Sequence, residues 1–432
     1  MKKYINPDNN KIEAILQRPT AGVNEIEPAV KQVFDEVMTK GEEAVLKYTE
    51  LFDGVVPENR EVSRSEFEEA SLKVPVALKE AITTAARNIE KFHIAQKTEK
   101  IRVETMPGVF CWQEKKPIEK VGLYIPGGTA PLFSTVLMLG IPAKVAGCKE
   151  VIICTPPGKD GSVNPAILFA AQLCGVDRVF KVGGIQAIAA MTFGTSFIPK
   201  VYKIFGPGNQ YVTAAKQWAT RYQVAIDMPA GPSELMVVAD ETAVPAYVAA
   251  DLLSQAEHGV DSQVILLSTS AGFCEQVENE INTQLADLPR KAIAEKAIEN
   301  SRIIVVDDID TLIRLMNSYG PEHLIISARE EDRIREAVTN AGSVFLGNYT
   351  PESAGDYASG TNHTLPTNGY AKQYSGVNLD SFTKSITYQK ISEEGITNLG
   401  SVIEYMAEAE GLYAHKNAVS LRLQDLKNKS NE

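Results

Sequence analysis

The spacing of hydrophobic and polar positions changes twice along the chain. Up to about residue 100, apolar residues recur three and four positions apart with Lys and Glu between them, as in 27–51 and 65–97. This spacing is typical of amphipathic helices. From Val121, short runs rich in β-branched residues alternate with longer stretches of helical spacing, and from about Ser381 the helical spacing returns. We therefore predict a helical first part, a long α/β part and a helical tail.

The middle part predicts parallel sheets covered by helices on both faces, because strands that alternate with helices are joined by crossover connections. The predicted strands are 121–125, 151–154, 178–182, 202–205, 234–239, 263–268, 303–307, 323–327 and 343–346. The predicted helices are 134–146, 165–174, 211–221, 246–257, 311–318 and 332–340. In the tail, helices are predicted over 398–410 and 416–427, with a break at Gly411. The alternating run is long enough for two α/β units.

Composition and charge exclude several classes of protein. The chain has 43 Lys and Arg against 55 Asp and Glu, a net charge of −12, which disfavours nonspecific binding to nucleic acid or anionic lipid. We find no apolar stretch of about 18 residues or more, so no membrane span is expected. The first residues, MKKYINPDNNK, do not form a secretory signal. The five cysteines contain no CxxC pair, which favours reduced thiols in a cytoplasmic protein.

Three glycine-containing turns follow predicted strands. They are Pro126-Gly127-Gly128, Gly183-Gly184 and Gly206-Pro207-Gly208-Asn209. Open α/β sheets bind ligands at such positions, where backbone N–H groups at the next helix start can contact phosphate. None of the three turns matches the GxGxxG or P-loop pattern. A bound nucleotide and a plain tight turn both stay open for each.

Histidines in two segments indicate chemistry more strongly. Gln255 and His258 lie three apart at the end of a predicted helix, so an amide oxygen and an imidazole on one face could hold a metal ion. An exposed helix end, where the dipole favours His, is the alternative. Glu322 and His323 precede an apolar strand and could be two proton-transfer groups with different ordinary pKa values. A polar turn before a buried strand is the alternative there.

Two further pairs complete the set of candidates. Asp356 and His363 lie in a segment rich in Gly, Ser and Thr, which we predict to be a loop. Glu410 and His415 lie near the C-terminus, where a solvated helix end is the competing explanation. The candidates together offer two nitrogens and two oxygens, from Gln255, His258, Asp356 and His415. This set suits zinc, with manganese or cobalt as substitutes. Spacing alone indicates an α/β enzyme with a candidate metal site.

Seven segments, in order along the chain, resemble those of the histidinol dehydrogenase family. They are VGLYIPGGTAPLFSTVLM, KIFGPGNQYVTAAK, IDMPAGPSELMVVAD, DLLSQAEHGVDSQVIL, GPEHL, SAGDYASGTNHTLPT and EGLYAHKNAVSLR. They extend from about Val121 to Arg422. The family oxidises L-histidinol through L-histidinaldehyde to L-histidine with two NAD+, the final step of histidine biosynthesis. It works as a homodimer with one zinc ion per subunit, so the resemblance implies an NAD-dependent zinc oxidoreductase.

The resemblance also implies a role for each matching residue. The implied zinc ligands are Gln255, His258, Asp356 and His415. The implied contacts to L-histidinol are these four ligands with Ser233, His323, His363 and Glu410. The implied proton-transfer pair is His323 as general base and Glu322 as the group that activates water. The implied NAD+ contacts are Tyr124, Gln186 and Asn209.

The fold that the resemblance implies is α/β, with two incomplete Rossmann-like parallel-sheet domains. The implied domains are an N-terminal helical segment over 1–19, a discontinuous main domain over 20–123 and 233–377, an inserted NAD-binding domain over 124–232, and a C-terminal helical tail over 378–432. The two terminal helical segments would pack on the partner subunit of a homodimer. Glu410 and His415 would then complete the partner's active site.

Two other functions use the same residues. A zinc hydrolase could use Glu322 to activate water, and it would have no need of NAD+. A non-catalytic metal- or ligand-binding protein would have no need of Glu322 or His323. An assay for NADH formation separates both from a dehydrogenase.

Overall fold

Parallel strands and the helices between them make up most of the residues that the computed structural model describes, which are 1–19, 23–127 and 131–430. The strands are β1 (Lys2–Ile5), β2 (Ile101–Met106), β3 (Val109–Pro117), β4 (Lys120–Tyr124), β5 (Glu150–Cys154), β6 (Arg178–Phe180), β7 (Lys203–Phe205), β8 (Ala225–Ile226), β9 (Glu234–Ala239), β10 (Gln263–Ser268), β11 (Arg302–Val305), β12 (His323–Ser327), β13 (Ser343–Leu346) and β14 (Thr383–Ile391). The helices are α1 (Ile12–Ile15), α2 (Val23–Lys40), α3 (Glu42–Asp53), α4 (Arg64–Lys73), α5 (Val76–Ala95), α6 (Phe133–Ala146), α7 (Pro165–Cys174), α8 (Gly184–Phe193), α9 (Gln210–Ala219), α10 (Pro245–Ala256), α11 (Ala271–Leu285), α12 (Lys291–Glu299), α13 (Ile309–Tyr319), α14 (Glu331–Glu336), α15 (Glu352–Tyr357), α16 (Glu393–Ala409) and α17 (Tyr413–Lys429).

The larger sheet is parallel throughout, with the strand order β1-β11-β10-β9-β12-β13. Every residue of β9, β10 and β12 is buried, as expected for parallel strands that helices cover on both faces. The order of strands along the chain reverses between β9 and β12. In that pair, His323 lies opposite Leu235, so the first residue of β12 lies next to the start of β9.

The smaller parallel sheet has the order β6-β5-β4-β7-β8. Here the strand order reverses between β4 and β7. In open α/β sheets, ligands bind at such a reversal, outside the carboxyl ends of the strands. Tyr124 ends β4, and Asn209 caps the helix that follows β7.

The chain divides into two compact units, Met1–Gln96 with Ile118–Phe382, and Lys97–Pro117 with Thr383–Glu432. The first unit contains both parallel sheets. The second contains an antiparallel sheet of order β14-β3-β2 and the pair α16 and α17. Among the described residues, no helix combines the length and the apolar character needed to cross a membrane.

The predicted strands and helices of the α/β part match the observed elements closely. Strands 234–239, 263–268, 323–327 and 343–346 and helix 165–174 have the observed bounds. These segments combine a continuous apolar run or a helical stripe with clear flanking turns. The division into an inserted domain over 124–232 and a main domain around it stays a prediction.

Three predictions about local structure were wrong. The first residues of segment 1–19 are not helical, because Lys2–Ile5 pairs with β11 as the edge strand of the larger sheet. The tail over 378–432 is not wholly helical, because Thr383–Ile391 forms the strand β14. Most of β14 is exposed, so its sequence lacks the apolar alternation of a half-buried strand. Asp356 lies on the short helix α15 rather than in a loop.

Candidate active site

The end of α10 places Gln255 and His258 at the amino ends of the larger sheet's strands. Gln255 is buried in the last turn of α10, while His258 follows the helix and is exposed. The backbone N–H of His258 donates to the carbonyl oxygen of Gln255 at 3.3 Å. The predicted spacing of three residues therefore brings both side chains to one end of one helix.

The short helix α15 supplies two carboxylates one turn apart, Glu352 and Asp356. One ligand atom from each of His258, Glu352 and Asp356 lies within 4.8 Å of the others. Glu352 was not predicted from the sequence. Its spacing of four from Asp356 indicates a shared helical face only once α15 is known to be a helix.

His323 and Glu322 stand beside this cluster. The Nδ1 atom of His323 lies 3.3 Å from the carbonyl oxygen of Glu234 and 3.7 Å from Glu322 Oε2. Its Nε2 atom lies 3.3 Å from Asp356 Oδ1 and, among the described residues, is buried without a hydrogen-bond partner. Glu322 Oε2 accepts the backbone N–H of Glu234 at 2.9 Å. With Nδ1 donating to the backbone, the basic nitrogen of a neutral His323 is Nε2, which faces the cluster.

Burial and charge shift the pKa values of this group. Burial raises the pKa of Glu322 to about 8. Burial alone would lower the pKa of His323, but the carboxylates of Glu322, Glu352 and Asp356 outweigh it and raise that pKa to about 10. Burial also raises the pKa of Glu352 well above its ordinary value. In the metal-free chain, negative charge around His323 therefore favours its protonated form.

His363 connects the two parallel sheets. Its Nδ1 atom lies 2.8 Å from the backbone oxygen of Asp356, and its Nε2 atom lies 3.0 Å from Thr135 Oγ1. Thr135 is in the first turn of α6, which follows the carboxyl end of β4. Ser233 is half-buried and immediately precedes β9. The carboxyl edge of the smaller sheet thus meets the amino edge of the larger one at this site.

Glu410 and His415 belong to the second compact unit. Glu410 caps the end of α16, His415 lies in the first turn of α17, and both are exposed. Within the single chain, both residues lie at solvated helix ends. Their contribution to an active site stays a prediction.

The three predicted cofactor contacts lie around the reversal of the smaller sheet. Tyr124 Oη accepts the Gly184 N–H at 3.1 Å, and burial raises the pKa of Tyr124 to about 12. Gln186 Nε2 lies 3.4 Å from Asp53 Oδ2, while its Oε1 is buried with no partner among the described residues. Asn209 uses its side-chain oxygen to cap α9. Gly128, the last residue of the first predicted glycine turn, lies outside the described residues.

A buried ion pair fixes the turn after β7. A Cβ atom on Gly206 would collide with the carbonyl oxygen of Tyr124. Asp227 accepts the Gly206 N–H at 2.8 Å, Lys216 donates to the Gly206 carbonyl at 2.7 Å, and Lys216 and Asp227 are 2.5 Å apart. The pair therefore holds both backbone groups of Gly206 against Tyr124.

We expect Lys216→Met to lower the free energy of unfolding by about 3–5 kcal/mol, because it leaves Asp227 buried and without its charge partner. The matched control is Lys149→Met, which removes the exposed pair with Glu119 and is expected to cost about 1 kcal/mol or less. Urea unfolding at pH 7 measures both. Equal effects of the two substitutions would contradict the role given to the buried pair.

Comparisons with known proteins agree with the resemblance found in the sequence. The family profile described as histidinol dehydrogenase matches residues 16–423. Histidinol dehydrogenase from Bacteroides thetaiotaomicron is 57% identical over 427 residues, which is 99% of this chain and all of that protein. Histidinol dehydrogenase from Vibrio vulnificus strain YJ016 is 51% identical over 96% of each chain. The crystal structure of histidinol dehydrogenase from Elizabethkingia anophelis matches with a TM-score of 0.96 and 56% identity, over 99% of each chain.

The chain belongs to the histidinol dehydrogenase family. The matched range of the histidinol dehydrogenase profile includes all the candidate residues, from Asp53 and Tyr124 to His415. The α/β fold that the resemblance implied is confirmed by the match to the solved histidinol dehydrogenase. The packing of the terminal segments on a partner subunit stays a prediction.

The cluster fits the divalent metal that this family implies. Imidazole nitrogen and carboxylate oxygen are ligands that zinc accepts, and His258, Glu352 and Asp356 offer such atoms within reach of one ion. The Nε2 atom of His323 is buried and faces the same cluster, 3.3 Å from Asp356 Oδ1. Gln186 Oε1, near the predicted cofactor contacts, is buried without a hydrogen-bond partner among the described residues.

Proposed function

We propose that the chain oxidises L-histidinol through L-histidinaldehyde to L-histidine with two NAD+, as the final step of histidine biosynthesis. Family membership over nearly the whole chain supports an NAD-dependent oxidoreductase of this pathway. The observation that carries the proposal is the position of the His323 imidazole, whose Nε2 atom faces the carboxylate of Asp356 at 3.3 Å. A proton acceptor next to a metal-binding cluster is what the oxidation of a chelating alcohol requires.

The proposed metal is one zinc ion per subunit. The proposed ligands are Gln255, His258, Asp356 and the partner's His415. When bound, zinc would hold the imidazole and amine nitrogens of the substrate and so orient its hydroxymethyl carbon. Ser233 and His363 would complete the substrate contacts, together with Glu410 of the partner subunit. Tyr124, Gln186 and Asn209 would contact NAD+, which accepts one hydride in each of the two oxidations.

The first oxidation needs a base for the substrate hydroxyl. Nε2 of His323 would take this proton as the alcohol becomes the aldehyde, because Nδ1 is committed to the Glu234 carbonyl. The base must be neutral, whereas nearby carboxylates raise the pKa of His323 to about 10 in the metal-free chain. A cation beside Asp356 would oppose those carboxylates and favour the neutral form.

The second oxidation needs a water molecule as well as a base. The carboxylate of Glu322 would accept a proton from water as the water oxygen attacks the aldehyde carbon, while protonated His323 returns its proton to the carbonyl oxygen, which gives the hydrate and a neutral His323. His323 would then take a hydroxyl proton of the hydrate as the acid forms. The dry surroundings of Glu322 raise its pKa to about 8, so its carboxylate, once ionised, is a stronger base than an exposed carboxylate.

The second unit supports a homodimer with shared sites. The exposed large apolar side chains of α16, of α17 and of the turn between them are Val402, Tyr405, Met406, Leu412, Tyr413 and Leu421. Clustered exposure of this kind is typical of an interface between subunits. Glu410 and His415 lie next to these residues in sequence and are exposed, so a partner could receive them.

The test of the activity is the NADH yield from a limiting amount of L-histidinol. We expect two NADH per histidinol, loss of the reaction after a chelator removes the metal, and recovery when zinc is added back. One NADH per histidinol with free aldehyde would contradict the two-step oxidation. Hydrolysis of a substrate in the absence of NAD+ would favour a hydrolase.

Glu322→Gln should separate the two oxidations. The variant keeps an oxygen that can accept the Glu234 N–H but loses the base for water, so we expect aldehyde oxidation to fall by about 10²–10³-fold and alcohol oxidation by less than about tenfold. Single-turnover rates with histidinol and with histidinaldehyde measure the two steps. Equal losses in both would contradict this division of roles.

A further inference from the structure

One buried carboxylate of the cluster has no role in the chemistry proposed above. Glu352 is 1% exposed and begins α15, one turn before Asp356. One of its oxygens lies within 4.8 Å of the ligand atoms of His258 and Asp356. A carboxylate removed from water needs a compensating partner. The group that contacts Glu352 therefore shows how the site is arranged.

That partner is the side-chain amide of Gln255, which is also 1% exposed. With its nitrogen toward Glu352, the amide donates to both carboxylate oxygens, at 3.1 Å to Oε2. An ionised carboxylate only accepts hydrogen bonds, whereas an amide has two N–H donors on one side and an acceptor oxygen on the other. This orientation is therefore the one that satisfies both buried groups, and it turns the amide oxygen to the other side.

We propose that Glu352 is a positioning residue of the metal site, which holds the Gln255 amide so that its oxygen faces a divalent cation. The inference rests on the proposed function, because it takes Gln255 to be a metal ligand. An amide turned the other way would present two N–H donors to the cation and could not bind it. Hydrogen-bond partners of this kind orient metal ligands and typically contribute about 10–100-fold to metal affinity.

The charges of the cluster favour the same role. Asp356 and Glu352 are the two carboxylates of the cluster, and a divalent cation beside them would favour their ionised forms. Gln255 offers an uncharged amide, and its dipole can bind either a donor or a cation. Without the carboxylate behind it, the Gln255 amide has no fixed preference between its two orientations.

The rival arrangement is direct coordination of the metal by Glu352, and a double-mutant cycle separates the two. The zinc dissociation constant is measured on the metal-stripped full-length protein by competition with a chromogenic chelator. The four proteins are the wild type, Glu352→Leu, Gln255→Ala and the double variant. We expect Glu352→Leu to weaken zinc binding about 10–100-fold in the wild-type background and less than about twofold in the Gln255→Ala background.

Two further substitutions keep the test interpretable. Glu352→Gln keeps an oxygen that can accept from Gln255 and should bind zinc more tightly than Glu352→Leu. Glu352→Asp withdraws the acceptor by one methylene and should also lose its effect once Gln255 is Ala, which keeps the cycle usable if the Leu variant does not fold. Glu299→Leu, at an exposed position of α12, is the matched control and should leave zinc affinity unchanged.

The outcomes distinguish this inference from the function on which it rests. If the losses from Glu352→Leu and Gln255→Ala multiply in the double variant, Glu352 acts independently of Gln255 and the positioning role is wrong. If Gln255→Ala weakens zinc binding and Glu352→Leu does not, the positioning role alone is wrong. If Gln255→Ala leaves zinc affinity at the wild-type value, the proposed ligand set itself fails, and this inference fails with it.

Discussion

His323→Asn is expected to suppress both oxidations by about 10²–10⁴-fold in kcat while zinc stays bound. Asn can still donate to the Glu234 carbonyl, which His323 Nδ1 approaches at 3.3 Å, but it offers no basic nitrogen toward Asp356. Since the proposed ligands are untouched, metal content should stay near one zinc per subunit. Rates with histidinol and histidinaldehyde, together with metal analysis, measure the effect.

Two results would contradict this role for His323. A variant that loses zinc together with activity would make His323 part of the metal site instead. A variant that keeps one oxidation at the wild-type rate would show that another group serves as base in that step. In either case the free Nε2 atom of His323 would need a different explanation.

His415→Asn is expected to abolish activity on its own and to recover part of it when mixed with a His258→Asn chain. In a mixed dimer, one site would combine the intact His258 of one chain with the intact His415 of the other. Random mixing makes half of the dimers mixed, with one of their two sites intact, so we expect about a quarter of the wild-type activity. Chains that are co-expressed with two different tags allow the mixed dimer to be purified and assayed alone.

The matched control for complementation is a mixture of His415→Asn with Glu299→Leu, which leaves both proposed ligands of the second chain in place. Here each mixed dimer should again have one intact site. Absence of activity in purified His415→Asn and His258→Asn mixed dimers would contradict exchange of the tail between subunits. Full activity of His415→Asn alone would remove this residue from the site.

The sequence predicts the parts of the site that strong local patterns surround. The apolar run after His323 places that residue at the start of a strand, and helical spacing places Gln255 in the last turn of α10 and His258 just beyond its end. The α/β class follows from the alternation of strands and helices. These features depend on neighbours in sequence, and the structure confirms them.

The remaining parts depend on contacts that sequence spacing does not specify. The segment ESAGDY of α15 contains Gly and Ser, which favour turns, so its helix was missed and Glu352 with it. Strand β14 is mostly exposed and lacks apolar alternation. The approach of Asp356 to His323 joins residues from different elements, and no local pattern encodes that distance.

The location of the site also differs from what the fold class alone would indicate. In open α/β sheets, ligands bind outside the carboxyl ends of strands, and the predicted cofactor contacts Tyr124 and Asn209 follow this rule. His323 and Ser233 instead lie at the amino ends of β12 and β9. The contact of Thr135 with His363 joins the two edges, which the proposed hydride transfer requires.

Anomalous diffraction at the zinc absorption edge, on crystals of the zinc-loaded protein with L-histidinol, tests most directly whether these residues form one metal centre. We predict a single strong peak per subunit, about 2.0–2.2 Å from oxygen atoms of Gln255 and Asp356 and nitrogen atoms of His258 and the partner's His415. A peak located elsewhere, or one whose protein ligands all come from a single subunit, would contradict the shared zinc site.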